Sequence, residues 1–164
     1  MKTFKTLSLA RLVLLPTAMT LGVVATEAAA QSSPPLTVQV YNADGASFHV
    51  NAVLIAGKTD AVLLDTGFTR ADALRIAAMV LDSKKTLKTV YISQADPDYY
   101  FGIEVIKQYF PDAKVVTTAP TLKKIQATLP NKLQVWGPRM GANAPKNVPL
   151  PEVLPGNTIT LEDQ

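Results

Sequence analysis

Polar and apolar residues alternate in the first part of the chain, and a fully apolar segment follows. The alternation covers residues 36–41 and 48–55, and the apolar segment covers residues 61–64. These two patterns are typical of half-buried and fully buried β-strands, respectively. The short polar segments between them, 43–46 and 56–60, predict turns. We therefore predict three consecutive strands that pair as an antiparallel run.

After residue 67 the spacing of apolar residues changes from two to three or four, which is typical of helices. The first predicted helix begins at Thr69, where Asp72 three residues later completes a capping box. Its apolar face is predicted to contain Leu74, Ala77, Ala78 and Leu81. Further elements are predicted in the order of a strand at 88–93, a helix at 102–110, a strand at 113–117 and a helix at 120–129. This order predicts an α/β layered domain whose loops at the strand ends carry any site.

Prolines are frequent from residue 130 onward and change the structure expected for the C-terminal part. They occupy positions 130, 138, 145, 149, 151 and 155. Because proline removes a backbone donor and clashes with the preceding helical turn, long elements are not predicted here. Two short elements remain, one at 133–136 and a last strand at 158–161.

The N-terminus has the pattern of a bacterial export signal. Positive charges precede a mostly apolar stretch at 12–24, and a run of small residues ends at Ala30, just before Gln31. The stretch is too short for a typical membrane span, so we expect a periplasmic or secreted protein that leaves the membrane after cleavage. An uncleaved anchor helix is the alternative interpretation. The predicted organisation is a signal peptide over 1–30 with cleavage near Ala30-Gln31, a linker over 31–35 and one domain over 36–164.

Charge and cysteine content narrow the classes of function. Of the chain's net charge of +3, the first 30 residues carry +2, so the exported part is close to neutral. It has no basic run of the kind that binds nucleic acid, and we expect no nucleic-acid partner. The chain contains no cysteine. Disulfides, thiolate zinc sites and cysteine nucleophiles are therefore excluded.

One candidate for chemistry is Asp65-Thr66-Gly67, which ends the apolar strand at 61–64. This segment resembles the active-site loop of retropepsin-like aspartic proteases, in which two such loops share a proton between carboxylates. A dimer would supply the second loop. However, Phe68 stands where those proteases have a small residue, and a helical pattern follows directly. We keep this interpretation as a distant alternative.

The other candidate is the stretch ISQADPDYYFG at 92–102. Asn51, Asp65-Thr66-Gly67, the predicted helix and this stretch follow one another along the chain, and this order resembles the metallo-β-lactamase superfamily. In that family a strand ending in Asp-Thr-Gly is followed by a helix and by a strand running into Thr/Ser-His-X-His-X-Asp-His-X-X-Gly. The resemblance covers roughly residues 38–126. It implies the N-terminal half of an αβ/βα layered fold, a mixed sheet covered by helices, because the sequence stops about where the second half should begin.

The resemblance assigns roles to individual positions. It places the three motif histidines at Gln94, Asp96 and Tyr99, and it retains the motif aspartate as Asp98 and the closing glycine as Gly102. Asp98 is thereby the candidate catalytic residue, as a metal ligand and proton-handling carboxylate. The candidate metal ligands are Gln94, Asp96 and Asp98.

Asp65 and Gly67 match the family's structural positions behind the site, where the acidic residue buttresses loops by hydrogen bonds. The same aspartate, like those of Asp96-Pro97-Asp98, would also suit a simple helix cap. His49 is the only histidine of the chain and lies on a predicted strand. A single strand histidine is more often packed or surface-exposed than a metal ligand.

By the resemblance, the cofactor is zinc and the parent activity is metal-dependent hydrolysis of a small ester, lactone, amide or related substrate. Zinc prefers imidazole and thiolate, usually with three protein ligands. The carboxylates of Asp96 and Asp98 suit Mg²⁺, Ca²⁺ or Mn²⁺ better. We therefore expect little or no zinc hydrolase activity.

Three hypotheses for the function remain open. In the first, the chain is a divergent hydrolase that acts on a small molecule with another divalent cation on Asp96 and Asp98. In the second, it is a non-catalytic binding module that keeps the fold. In the third, it is a truncated module whose exposed apolar sheet face drives self-association.

Overall fold

The computed structural model describes residues 35–162 and residue 164. The predicted signal peptide at 1–30 and residues 31–34 of the predicted linker lie outside this part. Among the residues that are described, no helix combines the length and apolarity needed to cross a membrane.

A six-stranded mixed sheet forms the centre of the described domain. The strands lie in chain order across the sheet, as β1 (Thr37–Asn42), β2 (Asn51–Ala56), β3 (Asp60–Leu64), β4 (Thr86–Tyr91), β5 (Lys114–Thr117) and β6 (Glu152–Val153). The first three strands pair antiparallel, and the later ones pair parallel. The predicted antiparallel run followed by alternating strands and helices is therefore confirmed.

In the described part of the chain, four α-helices connect or cover these strands. They are α1 (Arg70–Asp82), α2 (Pro97–Tyr100), α3 (Ile103–Tyr109) and α4 (Ala119–Met140). The capping box predicted for α1 is present, since Thr69 accepts a hydrogen bond from the Asp72 backbone N–H and the Asp72 side chain accepts one from the Thr69 backbone. The carboxylate of Asp72 also accepts hydrogen bonds from Tyr41 at 2.7 Å and Ser47 at 2.6 Å. This one side chain thus ties α1 to β1 and to the turn before β2.

The face of α1 that packs on the sheet differs from the predicted one. Leu74 and Leu81 are exposed, at 45% and 53% of their maximum. The buried apolar residues are instead Ala73, Ile76, Ala77 and Val80. Their spacing is equally helical, and the two alanines allow a close approach of helix and sheet. The buried face of α1 therefore contains Ala77 as predicted but neither of the two leucines.

The core lies between one face of the sheet and the helices. Alternate residues of β2 point into it, namely Ala52, Leu54 and Ala56. Helices α2 and α3 and the residues between them contribute the largest fully buried side chains, among them Tyr100, Phe101, Ile103 and Ile106. Such burial is the main stabilising contribution to a domain of this size without disulfides.

The opposite face of the sheet is partly covered by the C-terminal segment. Ile159 and Leu161 lie over β2, β3 and β4 and enclose an apolar cavity of about 290 Å³. Glu162 anchors this segment, because its carboxylate accepts hydrogen bonds from the backbone N–H groups of Lys58, Thr59 and Asp60 at 3.0, 2.6 and 3.0 Å. These bonds lower the pKa of Glu162 to about 2.

Three sequence-based expectations are wrong in the structure. Helix α4 does not end at residue 129 but continues through Pro130 and Pro138, so residues 133–136 are helical. The predicted last strand at 158–161 is absent from the described C-terminal residues, and the sheet ends instead with the short strand β6. His49 is not on a strand, because it lies in a turn with a positive φ of 55° and is exposed.

Helix α4 continues past its first proline because its apolar spacing continues. Leu129, Leu133, Trp136 and Met140 follow one another at helical intervals and pack against the core. A proline inside a helix costs about 3 kcal/mol. Partial burial of these four side chains offsets part of that cost, since complete burial of one large apolar side chain contributes about 1.5–3 kcal/mol.

Candidate functional site

The two sequence motifs meet at one edge of the sheet. Strands β3 and β4 are adjacent and parallel, so the loops that follow them leave the sheet at the same end. Residues 65–67 follow β3, and residues 92–102 follow β4. In open sheets with parallel strands this edge is where ligand sites commonly form. The topology therefore brings together the residues that the sequence singled out.

Asp65 connects the two loops from a buried position. Its Oδ1 accepts a hydrogen bond from the Ser93 backbone N–H at 2.8 Å, and its Oδ2 accepts one from the Ser93 hydroxyl at 2.7 Å. Burial raises the pKa of Asp65 to about 6; the Ser93 hydrogen bonds oppose this rise and the nearby Asp98 carboxylate adds to it. Asp65 thus fixes the start of residues 92–102, which we call the motif loop. It does not cap α1, whose N-cap is Thr69.

The backbone holds the two loops together at a second point. Thr66 donates its backbone N–H to the Tyr99 carbonyl at 2.8 Å, and Gly102 donates to the Gly67 carbonyl at 3.1 Å. Gly67 has a positive φ of 83°. A Cβ on Gly102 would lie 2.0 Å from the Thr66 carbonyl oxygen. Both glycines are therefore required by the junction itself, one by conformation and one by close approach.

The candidate ligands lie in the outer part of the motif loop. Gln94 and Asp96 are exposed, whereas Asp98 and Tyr99 are half-buried. The pKa of Asp98 is raised, first by burial and then by Asp96. The pKa of Tyr99 is also raised, first by burial and then by Asp98 and Asp65. Asp98 thus lies close enough to Asp65 and to Asp96 for electrostatic interaction with each of them.

A lysine that the sequence patterns did not single out reaches into this loop. Lys132 of α4 pairs with Asp96 Oδ1 at 3.2 Å and donates a hydrogen bond to the Ala95 carbonyl. Its ammonium lies 5.8 Å from the centre of the Tyr100 ring, a cation–π distance. The Lys132 side chain is only 16% exposed. The signal for it was the apolar spacing of α4 beyond Pro130, which places residue 132 on a continuous helix.

These residues do not fit the zinc that the resemblance implies. Gln94 offers a neutral amide, and Asp96 is already paired with Lys132. A phenol such as Tyr99 must lose its proton to bind zinc well, and its raised pKa opposes that loss. Within residues 35–162 and 164, no group of three His, Cys, Asp or Glu side chains is placed to hold a metal ion.

An open, polar cleft adjoins the motif loop. It has a volume of about 490 Å³ and lies between the end of β4 and the start of α4. The lining residues are Ser93, Gln94, Ala95, Pro120, Thr121 and Lys124. The lining residues thus include an amide, hydroxyl groups and an ammonium group, although the Ser93 hydroxyl is donated to Asp65. This set suits a small polar molecule with hydrogen-bond acceptors or a negative charge.

An aromatic cluster lies where the turn before β2 meets α4. Phe48 contacts Phe68 and Trp136 with ring centres 5.4 and 5.6 Å apart, and Phe68 stacks on Phe101 at 5.9 Å. Phe48 is 52% exposed and has a positive φ of 58°. The Ser47–Asp72 hydrogen bond holds this turn in place. The cluster packs Trp136 against Phe68, directly after the Asp65-Thr66-Gly67 loop.

Comparison with solved structures gives matches to metallo-β-lactamases. MEM-A1, a subclass B3 metallo-β-lactamase isolated from a soil metagenome library, aligns with a TM-score of 0.51 and 23% identity over 70% of this chain and 43% of that chain. The metallo-β-lactamase from Pontibacter korlensis aligns with a TM-score of 0.48 and 16% identity, over 77% of this chain and 50% of its own. The metallo-β-lactamase from Hirschia baltica aligns with a TM-score of 0.45 and 16% identity, over 57% of this chain and 48% of its own. No protein-family model and no curated protein sequence matches the chain.

The alignment with MEM-A1 shows that this chain has the metallo-β-lactamase-type fold, which confirms the fold predicted from the motif order. The chain spans half or less of the length of the three solved proteins. The fold does not support the aspartic-protease interpretation of Asp65-Thr66-Gly67, because helix α1 follows this loop directly, where those proteases continue in β-structure.

Proposed function

We propose that this chain is an exported module with the metallo-β-lactamase fold that binds a small polar molecule in the cleft beside its motif loop, and that its metal-dependent hydrolysis is weak or absent. One observation carries the proposal. At the loop where the family places metal ligands, Asp96 is paired with Lys132, while Gln94 faces an open polar cleft. The loop is therefore better suited to hydrogen bonding than to metal-based chemistry.

The chemistry of the cleft indicates the class of ligand. Lys124 supplies a positive charge, Thr121 a hydroxyl group and Gln94 an amide that both donates and accepts. A carboxylate or a similar anionic group on a small molecule complements this set. Because the cleft is open, its ligand keeps part of its surface in water, and we expect modest affinity.

The proposal is tested by NMR titration of the protein with a panel of small carboxylates, lactones and esters. Binding in the cleft is expected to shift the backbone resonances of residues 93–95 and 120–124. Lys124→Met should weaken the binding of a carboxylate about tenfold, which corresponds to the loss of one charged hydrogen bond. The matched control is Lys123→Met, an exposed neighbour that does not line the cleft. Unchanged affinity in Lys124→Met would refute the assignment of the cleft.

A second candidate function is residual hydrolysis of a small ester, lactone or amide. The observation that favours it is the half-buried carboxyl of Asp98, whose pKa is raised by burial and by Asp96. Such a group can hold a proton closer to neutral pH than an ordinary aspartate, as a general acid or base must. Hydrolysis of an activated aryl ester that is lost in Asp98→Asn but kept in Asp112→Asn would support this function. Equal rates in the two variants would exclude it.

Export and self-association complete the proposal. Export rests on the sequence pattern of residues 1–30, and cleavage near Ala30-Gln31 is checked by mass spectrometry of the periplasmic fraction.

Self-association would use the sheet face opposite the helices, where Val38 and Val40 of the edge strand β1 are 61% and 49% exposed. A monomer at all concentrations in analytical ultracentrifugation would rule it out.

A further inference from the structure

We propose that Lys132 is the built-in cation of the motif loop: its ammonium balances the charge of Asp96, and it excludes divalent metal ions from this position. By the family resemblance, a metal ion would be the cation at this loop. Here that cation is a side chain of the same polypeptide. The inference does not depend on which molecule the cleft binds, because it concerns only the charge next to Asp96.

The contacts of the ammonium group are those of a bound cation. Lys132 Nζ lies 3.2 Å from Asp96 Oδ1 and donates a hydrogen bond to the Ala95 carbonyl. The face of the Tyr100 ring lies 5.8 Å away. A carboxylate, a carbonyl oxygen and an aromatic face are all groups that attract positive charge. The loop therefore surrounds the ammonium with three favourable partners.

The position of Lys132 is fixed by the helix that carries it. Leu129, Leu133 and Trp136 of α4 pack against the core on either side of it in sequence. The Lys132 side chain is 16% exposed, whereas Asp96 is 53% exposed. The lysine is thus the more enclosed member of the ion pair, and the carboxylate is the more exposed one. An ion pair held this way is less screened by salt than one between two exposed side chains.

A divalent ion at Asp96 would have to displace this ammonium or bind beside it. Displacement would leave the Lys132 ammonium, whose side chain is 16% exposed, without its carboxylate partner. Binding beside it would place two cations at one carboxylate. Asp98 and Asp65 lie nearby, but within the described residues the three carboxylates do not form a group placed to hold a metal ion. Gln94 is neutral, and Tyr99 is neutral while its phenol is protonated. Neither displacement of the ammonium nor binding beside it therefore gives a divalent ion enough negative charge.

The experiment uses the full chain and Mn²⁺ as the probe, followed by electron paramagnetic resonance of free Mn²⁺ and by thermal unfolding. We expect no binding and no change of Tm at millimolar Mn²⁺ for the wild type and for Lys132→Arg, which keeps the charge. Lys132→Met should unfold at a lower temperature in EDTA, and Mn²⁺ should restore part of that loss. Its affinity for Mn²⁺ should be at least about tenfold higher than that of the wild type.

Two further variants make the result specific. Lys123→Met removes an exposed charge from the same helix and should behave as the wild type does. Adding Asp96→Asn to Lys132→Met should abolish the Mn²⁺ effect. If Lys132→Met does not fold, Lys132→Gln takes its place, with circular dichroism to check folding. The proposal is overturned if the wild type binds Mn²⁺ as well as the lysine-free variant does, or if neither lysine-free variant responds to Mn²⁺. Neither outcome bears on ligand binding in the cleft.

Discussion

The motif region divides into a buried junction and an exposed loop, and the two parts have different kinds of residues. In the junction, residues 65–67 and 99–102 are joined by backbone hydrogen bonds and contain the two required glycines. In the loop at 93–98, Gln94 and Asp96 are exposed, and Lys132 is the partner that holds Asp96. Asp65, Gly67 and Gly102, which shape the site, match the family motif, whereas Gln94, Asp96 and Tyr99 stand at its three histidine positions. Of the candidate metal ligands, Asp98 alone is retained from the motif. Scaffold and chemistry are therefore separable in this fold.

The largest expected effect comes from closing the junction with a methyl group. In Gly102→Ala the new Cβ would lie 2.0 Å from the Thr66 carbonyl oxygen and 2.8 Å from Ala73 Cβ. Neither neighbour is the end of a flexible side chain, so the backbone must move. We expect a loss of about 3 kcal/mol or more in the free energy of unfolding, measured with denaturant.

The matched control for this substitution is Gly137→Ala in α4. A Cβ at Gly137 meets no atom within 4 Å. Because alanine stabilises a helix interior more than glycine does, this variant should be as stable as the wild type or more stable by about 0.5–1 kcal/mol. Equal effects of the two substitutions would contradict the tight packing of the junction.

A smaller effect is expected from Asp65→Asn, and it should depend on pH. Burial raises the pKa of Asp65 to about 6 in the folded protein, above its value in the unfolded chain. The folded state therefore binds more protons between about pH 4 and pH 6, and stability falls as the pH rises through that window. Relative to Asp65→Asn, the wild type should lose about 2 to 3 kcal/mol from pH 4 to pH 7. Asp112→Asn, on the surface, should leave the wild-type slope unchanged, and parallel profiles for all three proteins would disprove this account.

A still smaller loss in the free energy of unfolding is expected from removing the N-cap of α1, the helix that follows residues 65–67. Thr69→Ala removes the hydroxyl that accepts the Asp72 N–H at 3.0 Å and donates to the Asp72 carboxylate. We expect a loss of about 1 kcal/mol, measured by denaturant unfolding. Thr69→Ser keeps the hydroxyl and should recover most of it. A loss of similar size in the serine variant would show that the methyl group, and not the cap, is responsible.

The smallest effect is expected in the exposed loop. Gln94→Ala shortens an exposed side chain that lines the open cleft and buries little surface. The change in the free energy of unfolding should be below about 0.5 kcal/mol by the same measurement. A loss comparable to that of the junction variants would mean that the loop is part of the scaffold after all.

The residues of the junction could be predicted from the sequence. A strand that ends in Asp65-Thr66-Gly67 and a later Gly102 can each be recognised by residue type and order. The hydrogen bonds from Ser93 to Asp65 could not be predicted, since serine is common in loops and only the parallel pairing of β3 and β4 places it there. The turn that holds His49 was missed because its two positive φ angles at Phe48 and His49 are not suggested by either residue.

Lys132 was missed for a different reason. A proline at position 130 predicts the end of a helix, so the residues after it have no predicted geometry. The spacing of Leu129, Leu133 and Trp136 indicates that the helix continues. Placing Lys132 near the motif loop also requires knowledge of how α4 packs against the core. A residue 36 positions from its partner in sequence cannot be paired with it from local patterns.

The carboxylate of Glu162 has a consequence for the time course of folding. The turn that it binds closes early, since Gly57 and Asp60 are near neighbours and hydrogen-bond directly at 2.9 Å. Glu162 lies 104 positions after Lys58, so we expect its contact to form late in folding, because closing a long loop costs more entropy than closing a short one. A contact made after the rate-limiting step does not speed folding, but it slows unfolding. The C-terminal segment is therefore expected to determine how long the folded domain persists, more than how fast it forms.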